Sequence, residues 1–207
     1  MTYSRAKDLS VCMGMRWFTV LSVVASIFMA PWSSATSYTI YPQGRRTCEA
    51  TDPERLWKIL AEQRDVWTTT PSDRFNHGLY CHPDPSRNGL CSNVPGGHFL
   101  HRNPGFFDTT FFNMTHAEAT ALDPQQRIVL ECAYEAVENA GIPLEKLIGS
   151  NTAVFVGSSC RDYADIMASD LDRTELYQST GTGQTMLSNR ISYFFDLKGP
   201  SASNYVI

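Results

Sequence analysis

The sequence predicts a layered α/β domain, and three observations carry that expectation. Residues 124–140 read as one long amphipathic helix, residues 152–156 as a short buried strand closed by Gly157, and the stretch after the 179–183 loop as a further amphipathic helix. Helices that alternate with a strand and a glycine-bearing loop bury their apolar stripes on a sheet, which is the layered arrangement. No internal repeat at a period of ~20–50 residues points to a solenoid or propeller instead.

Composition divides the 207 residues into four parts: 1–16, 17–50, 51–201 and a short tail at 202–207. The second part resembles neither neighbour. It opens with the apolar run WFTVLSVVASIFMAPW at 17–32 and continues polar and Ser/Thr-rich to residue 50. That run falls short of the ~20 residues a helix needs to cross a bilayer, although tilt or local thinning accommodates a shorter one. Arg5, Lys7 and Arg16 before it and Ser33-Ser34-Ala35 after it also fit a secretory signal, and Asn113-Met114-Thr115 would then be a glycosylation acceptor. The enzyme-like sequence beyond residue 50 counts against that alternative.

Within the third part, Asp52 is a natural N-cap ahead of Pro53, and Leu56, Trp57, Ile59 and Leu60 supply an apolar face, so a helix is expected over about 53–62. Residues 66–107 are rich in Pro, Gly, Asn, Ser and His and read as loop with short extended pieces. Asp123 then caps the long helix, Pro124 takes its first position, Gln126 is placed to close a capping box, and Gly141 ends it with Pro143 beyond. Ile128, Val129, Cys132, Ala133, Ala136, Val137 and Ala140 form one face, with Arg127, Glu131, Glu135 and Glu138 largely on the other. After the 152–156 strand come a helix at about 162–171, the loop at 179–183, and a helix carrying Met186, Leu187, Ile191, Tyr193 and Phe194 that stops near Lys198-Gly199-Pro200.

Charge and composition exclude several classes of function. With 17 basic and 21 acidic side chains the net charge is −4, and 43% hydrophobic against 18% charged residues suits a folded domain. No basic run supplies a phosphate-tracking stripe, so no nucleic-acid partner is expected. The cysteines at 12, 48, 81, 91, 132 and 160 contain no C-x-x-C and read as reduced thiols of a cytoplasmic protein. A secretory or membrane location is the alternative if residues 17–32 act as signal or anchor.

Candidate chemistry is sparse. Cys81, His82, Cys91, His98 and His101 lie close in sequence, but C-x9-C-x6-H-x2-H lacks the short paired loops that shape a zinc tetrahedron. Gly157-Ser158-Ser159-Cys160 follows a strand as a nucleophile would, yet it lacks the G-x-S-x-G elbow, and a structural cysteine is the plainer reading. The 181–185 segment lacks the spacing and lysine of a phosphate loop, so its glycines are read as permitting close packing at a helix start. Asp123 and Glu118 stand at helix beginnings, where capping accounts for them. No metal or cofactor site is assigned.

A family resemblance adds to this. Phe111-Phe112-Asn113-Met114-Thr115, Glu118-Ala119, Leu122-Asp123-Pro124-Gln125-Gln126-Arg127, Leu130-Glu131 and Glu138-Asn139-Ala140-Gly141-Ile142 together closely resemble the N-terminal part of the ketosynthase domain of fungal iterative, highly reducing type I polyketide synthases. Asp73-Arg74-Phe75-Asn76, Gly96-Gly97-His98-Phe99-Leu100, Val154-Phe155-Val156-Gly157, and Asn189-Arg190-Ile191-Ser192-Tyr193-Phe194-Phe195 with Gly199-Pro200-Ser201 extend the likeness. Residues 11–16 look like the first strand and turn of the same domain, so 17–50 reads as an unrelated insert, either read-through of non-coding sequence or a signal-like segment.

The resemblance implies an incomplete fold, the N-terminal half of a thiolase-like layered α/β domain. It implies a reaction too: transfer of an acyl group from the phosphopantetheine arm of an acyl carrier protein to a cysteine, then decarboxylative Claisen condensation with malonyl carrier protein. The family's Asp-Thr-Ala-Cys-Ser motif follows the strand after Gly-Pro-Ser, which puts the nucleophile one place after Ile207, and both family histidines lie further on. This chain alone is therefore expected to be inactive and to bind no cofactor itself. The partners implied are the carrier protein and a second subunit in a homodimer. Thr182, Gly183, Met186, Asn189 and Arg190 correspond to the region near the dimer contact and acyl tunnel. Two other readings stand beside this one: a secreted or membrane-anchored non-catalytic protein, and a degenerate half-domain that binds an intact synthase.

Overall fold

A computed structural model describes residues 25–29, 38–40, 49–50, 53–87, 91–170, 172 and 176–205. The expected first strand at 11–16 lies outside the described residues. Two strands come from the segment read as an insert: β1, Ala25–Met29, and β2, Tyr38–Ile40. Helix α1, Pro53–Ala61, buries Ile59, while Trp57 and Leu60, expected on the same apolar face, are 73% and 61% exposed. Among the described residues, the 62–115 region is largely irregular. Its strands are two-residue pieces, β3 at Thr68–Thr69 and β4 at Gly96–Gly97, paired antiparallel.

Helix α2, His116–Ala121, is capped by Thr115, whose Oγ1 accepts from the Glu118 N–H at 3.2 Å. Helix α3, Pro124–Asn139, starts as the sequence predicts, with the Asp123 carboxylate accepting from the Gln125 N–H at 2.8 Å. Gly141 follows it at φ +63°, a left-handed conformation that favours glycine. Ile128, Val129, Ala133, Ala136 and Val137 are buried, and so is Leu130, whereas Ala140 is exposed. The helix ends one residue before Ala140, which turns off the buried stripe. A one-turn helix that the sequence does not announce, α4 at Leu144–Leu147, then inserts Leu147 into the core.

Strand β5, Val154–Ser158, begins later than expected and runs through Gly157. Its parallel partner β6, Ser201–Tyr205, pairs Gly157 with Asn204 and Ser158 with Tyr205, so the ladder carries the glycine. Residues 202–205, read as part of a divergent tail, are thus strand. The main sheet runs β2–β1–β5–β6, with β1 antiparallel to both its neighbours.

Helix α5, Asp162–Ala168, is shorter than expected because Ser169 turns back, its Oγ donating to the Ile166 carbonyl at 2.6 Å. Where the sequence predicts a loop, residues Gln178–Thr182 form the short helix α6. Gly181 is the reason it fits there. A Cβ at that position would clash with the Ala121 carbonyl, and only glycine lets the two backbones approach so closely. Helix α7, Met186–Phe194, completes the order.

One face of β5, carrying Val154 and Val156, is buried against α3 and α7. Val129, Leu130, Ala133 and Val137 of α3 meet Leu187 and Ile191 of α7 and Phe195 and Leu197 beyond it. An aromatic wall of Phe107, Phe111, Phe112, Tyr134, Phe194 and Phe195 closes one end, with neighbouring ring centroids 4.7–6.5 Å apart. Phe155, on the other face of β5, is 39% exposed.

Candidate functional site

Because β5 and β6 run parallel, their C-terminal ends lie side by side, and in layered α/β folds that edge is where sites form. A polar clamp stands at this edge. The Cys160 carbonyl accepts from Gln125 Nε2 at 3.2 Å and from Gln184 Nε2 at 3.2 Å. Ser158, buried at 4% exposure, has its Oγ 3.3 Å from the same carbonyl and 3.2 Å from Gln125 Oε1. The turn after β5 is thereby tied to the first turn of α3 and to the residue pair that precedes α7.

A second polar layer lies beneath it. Arg190 of α7 is 7% exposed and donates from Nη1 to Glu118 Oε1 at 2.7 Å and from Nε to Gln126 Oε1 at 2.7 Å. Gln126 does not close the expected capping box: its Nε2 donates to the carbonyls of Thr180, at 3.3 Å, and Gly183, at 3.1 Å. Glu118 also departs from its expected role, since Thr115 caps α2 and the carboxylate serves Arg190. A buried guanidinium needs such partners, because an unpaired charge at that depth is strongly destabilising.

Helix α7 is fastened to β6 by hydroxyls. Ser201 and Ser203 fall on one face of the strand. Ser201 Oγ donates to Asn189 Oδ1 at 2.7 Å, and Ser203 Oγ donates to Ser188 Oγ at 2.8 Å while accepting from the Ser188 N–H at 3.2 Å. Asp123, at the base of the clamp, has its carboxyl pushed up to about 6 from the usual 3.8. Burial is the main cause, only partly offset by the Gln125 N–H bond and the charge of Arg127.

The five candidates on residues 182–190 are brought together along α6 and α7. Thr182 is half-buried and its Oγ1 donates to the Gln178 carbonyl at 2.8 Å. Gly183 offers its carbonyl to Gln126, and Met186, half-buried, donates its N–H to that same carbonyl at 3.0 Å. Asn189 is exposed beside Ser201, and Arg190 points inward. The loop cysteines and histidines go elsewhere. Cys81 forms an isolated bridge with Ser92, and His82 Nδ1 accepts from the Asp84 N–H at 3.1 Å. Among the described residues no three His, Cys, Asp or Glu side chains converge as a metal set. None of the described helices is long and apolar enough to cross a membrane. Sequence reasoning missed Gln125 and Gln184, whose partners lie 35 and 24 residues away and leave no local signature.

Residues 40–204 match the family model described as the beta-ketoacyl synthase N-terminal domain. The match takes in the last residues of the 17–50 segment and the first three of the 202–207 tail. The chain is 46% identical over 175 residues to the highly reducing polyketide synthase tstA of Talaromyces stipitatus, covering 83% of this chain and 7% of that protein. It is 50% identical over 153 residues to the highly reducing polyketide synthase sdnO of Sordaria araneosa, covering 74% and 5%. To the lovastatin diketide synthase mokB of Monascus pilosus it is 49% identical over 154 residues, covering 74% and 6%. The chain therefore spans 5–7% of the length of these relatives. The oxazolomycin ketosynthase domain OzmH KS7 of Streptomyces albus JA3453 superposes with a TM-score of 0.67 at 32% identity, covering 77% of this chain and 27% of that one. A ketosynthase from module 6 of the bacillaene synthase of Bacillus subtilis 168 does so with a TM-score of 0.64 at 26% identity, covering 76% and 25%.

Proposed function

The chain belongs to the β-ketoacyl synthase family through its N-terminal domain and has the thiolase-like α/β fold of ketosynthases, and from that premise we propose that it serves as the front half of a polyketide synthase's condensing domain. In this reading, acyl groups carried on the phosphopantetheine of an acyl carrier protein pass to a cysteine thiolate. The enolate left by decarboxylation of malonyl carrier protein then attacks that thioester, closing the carbon–carbon bond as the thiolate leaves. The 207 residues contain no Asp-Thr-Ala-Cys-Ser sequence, so they contribute scaffold and wall, not the nucleophile. Thr182, Gly183, Met186 and Asn189 are assigned to the acyl tunnel or the contact with a second subunit, with Arg190 supporting them from behind.

The observation that supports this reading most is where the matched residues fall. Residues 40–204 include β5, all but the last residue of β6, and the whole polar clamp at the strands' shared C-terminal edge. The test is a chimera in which these residues replace the matching ones of an intact highly reducing polyketide synthase. Loading of a labelled acyl group on the host's cysteine, followed by condensation, is the expected result. A folded, dimeric chimera that loads no acyl group overturns the reading. The 207-residue chain by itself is expected to hold no label as a stable thioester.

A further inference from the structure

The contacts of Arg190 determine which way a neighbouring amide faces. A guanidinium carries donors only, so the 2.7 Å contact from Arg190 Nε identifies the Gln126 atom facing it as the carbonyl oxygen. The NH2 group must then face the opposite way. There it reaches the Thr180 and Gly183 carbonyls, which bracket the end of α6 and the turn into α7. Gln184, the next residue, holds the Cys160 carbonyl at the end of β5. Glu118 grips the other side of the guanidinium and fixes it against α2. The chain of contacts runs from α2 through α7 and α3 to the 180–184 turn, and from that turn to the β5 edge.

We propose that Arg190 is a positioning residue: by orienting the Gln126 amide it locks the 180–184 turn, and through Gln184 it sets the Cys160 carbonyl at the edge of the candidate site. The purpose assigned to that edge rests on the ketosynthase reading, but the contacts do not. Lysine is no substitute, because one ammonium on a flexible stem lacks the rigid fork that serves Glu118 and Gln126 at once.

Hydrogen exchange on the 207-residue chain tests this with Arg190→Lys, Gln126→Leu and the double variant. In both single variants the Gly181 amide, which donates to the Tyr177 carbonyl, and the Met186 amide, which donates to Gly183, are expected to exchange about tenfold faster. The amides of Ala133 and Val137 in mid α3 should keep their protection. If Arg190 acts through Gln126, the double variant exchanges no faster at Gly181 and Met186 than Gln126→Leu alone. Multiplying effects, or loss of protection spread evenly over α3, would overturn the proposal. Gln126→Glu covers the case in which Arg190→Lys does not fold. It keeps an oxygen for Arg190 but turns a carboxylate toward the two carbonyls, so the turn should loosen while the helices stay protected. Turn amides as protected as the parent's in that variant would also overturn it. The acyl-loading chimera decides the ketosynthase reading separately, so failure of one leaves the other standing.

Discussion

The backbone N–H of Asp123 donates to the carbonyl of Gly181 at 2.8 Å, joining the start of α3 to the short helix α6 across the bare Cα of a glycine. Helix α3, which carries Gln125 of the clamp, and α6, which leads into Gln184, thus share one backbone contact, and a side chain at 181 would prise it open. Gly181→Ala should lower unfolding stability by about 1–3 kcal/mol, because the new methyl must displace the main chain of Ala121 rather than a flexible side chain. Urea unfolding of the two chains gives this directly; equal midpoints would show that the two backbones are not in contact.

The two faces of β5 predict opposite tolerance at adjacent positions. Val156 is 2% exposed in the α3–α7 core, and Val156→Ala should cost about 1–3 kcal/mol. Phe155 is 39% exposed, and Phe155→Thr, which keeps a residue suited to strands, should cost under about 1 kcal/mol. Thermal unfolding of both variants checks the ranking, and a larger loss at Phe155 would mean that its face is covered.

Local signals made the ends of α3 legible from sequence: Asp123, Pro124 and Gly141 act within a few residues of themselves, and the structure uses each as read. Gln126 fails the same logic for a physical reason. Its oxygen has a partner 64 residues away, and the Asp123 N–H that a capping box would need is already given to the Gly181 carbonyl, so the buried guanidinium takes the oxygen instead. α6 was hidden because its Ser-Thr-Gly-Thr content has low helix propensity, and packing on Ala121 supplies what propensity lacks. β6 is hidden because Ser-Ala-Ser-Asn is polar, and its serines are matched by the Asn189 amide oxygen and the Ser188 hydroxyl on α7, not by apolar burial. The tunnel and dimer candidates came from family likeness alone, and no spacing rule could have singled out Gln125 or Gln184 beside them.

The Ser188–Ser203 pair predicts non-additive variants. Ser188 is fully buried, and Ser203 Oγ both donates to its hydroxyl and accepts from its N–H. Ser203→Ala strands the buried N–H of Ser188 and should cost about 1–3 kcal/mol. Adding Ser188→Ala should cost little beyond its own 3.4 Å bond to the Thr185 carbonyl, since the contact with Ser203 is already gone. A double-variant cycle by urea denaturation measures the coupling, and strictly additive losses would show that the hydroxyls are not bonded to each other.

Asp123 predicts a pH dependence with a definite sign. Its carboxyl sits at about 6 in the fold against the usual 3.8, so between these values the folded chain binds more protons at this site than the unfolded chain. Stability then falls as pH rises through that window, because the slope follows the protons bound unfolded minus those bound folded, and here that difference is negative. The full penalty is present above pH ~6 and absent below ~4, and it amounts to about 2–3 kcal/mol for a shift of this size. Asp123→Asn keeps an oxygen for the Gln125 N–H, as good N-cap residues do, but has no proton to lose. Whatever constant cost the substitution carries in capping or in lost attraction to Arg127, the variant should gain on the parent by about 2–3 kcal/mol between pH 4 and pH 7.5. Urea midpoints across that range measure the gain; parallel curves would show that the Asp123 carboxyl titrates as it does in water.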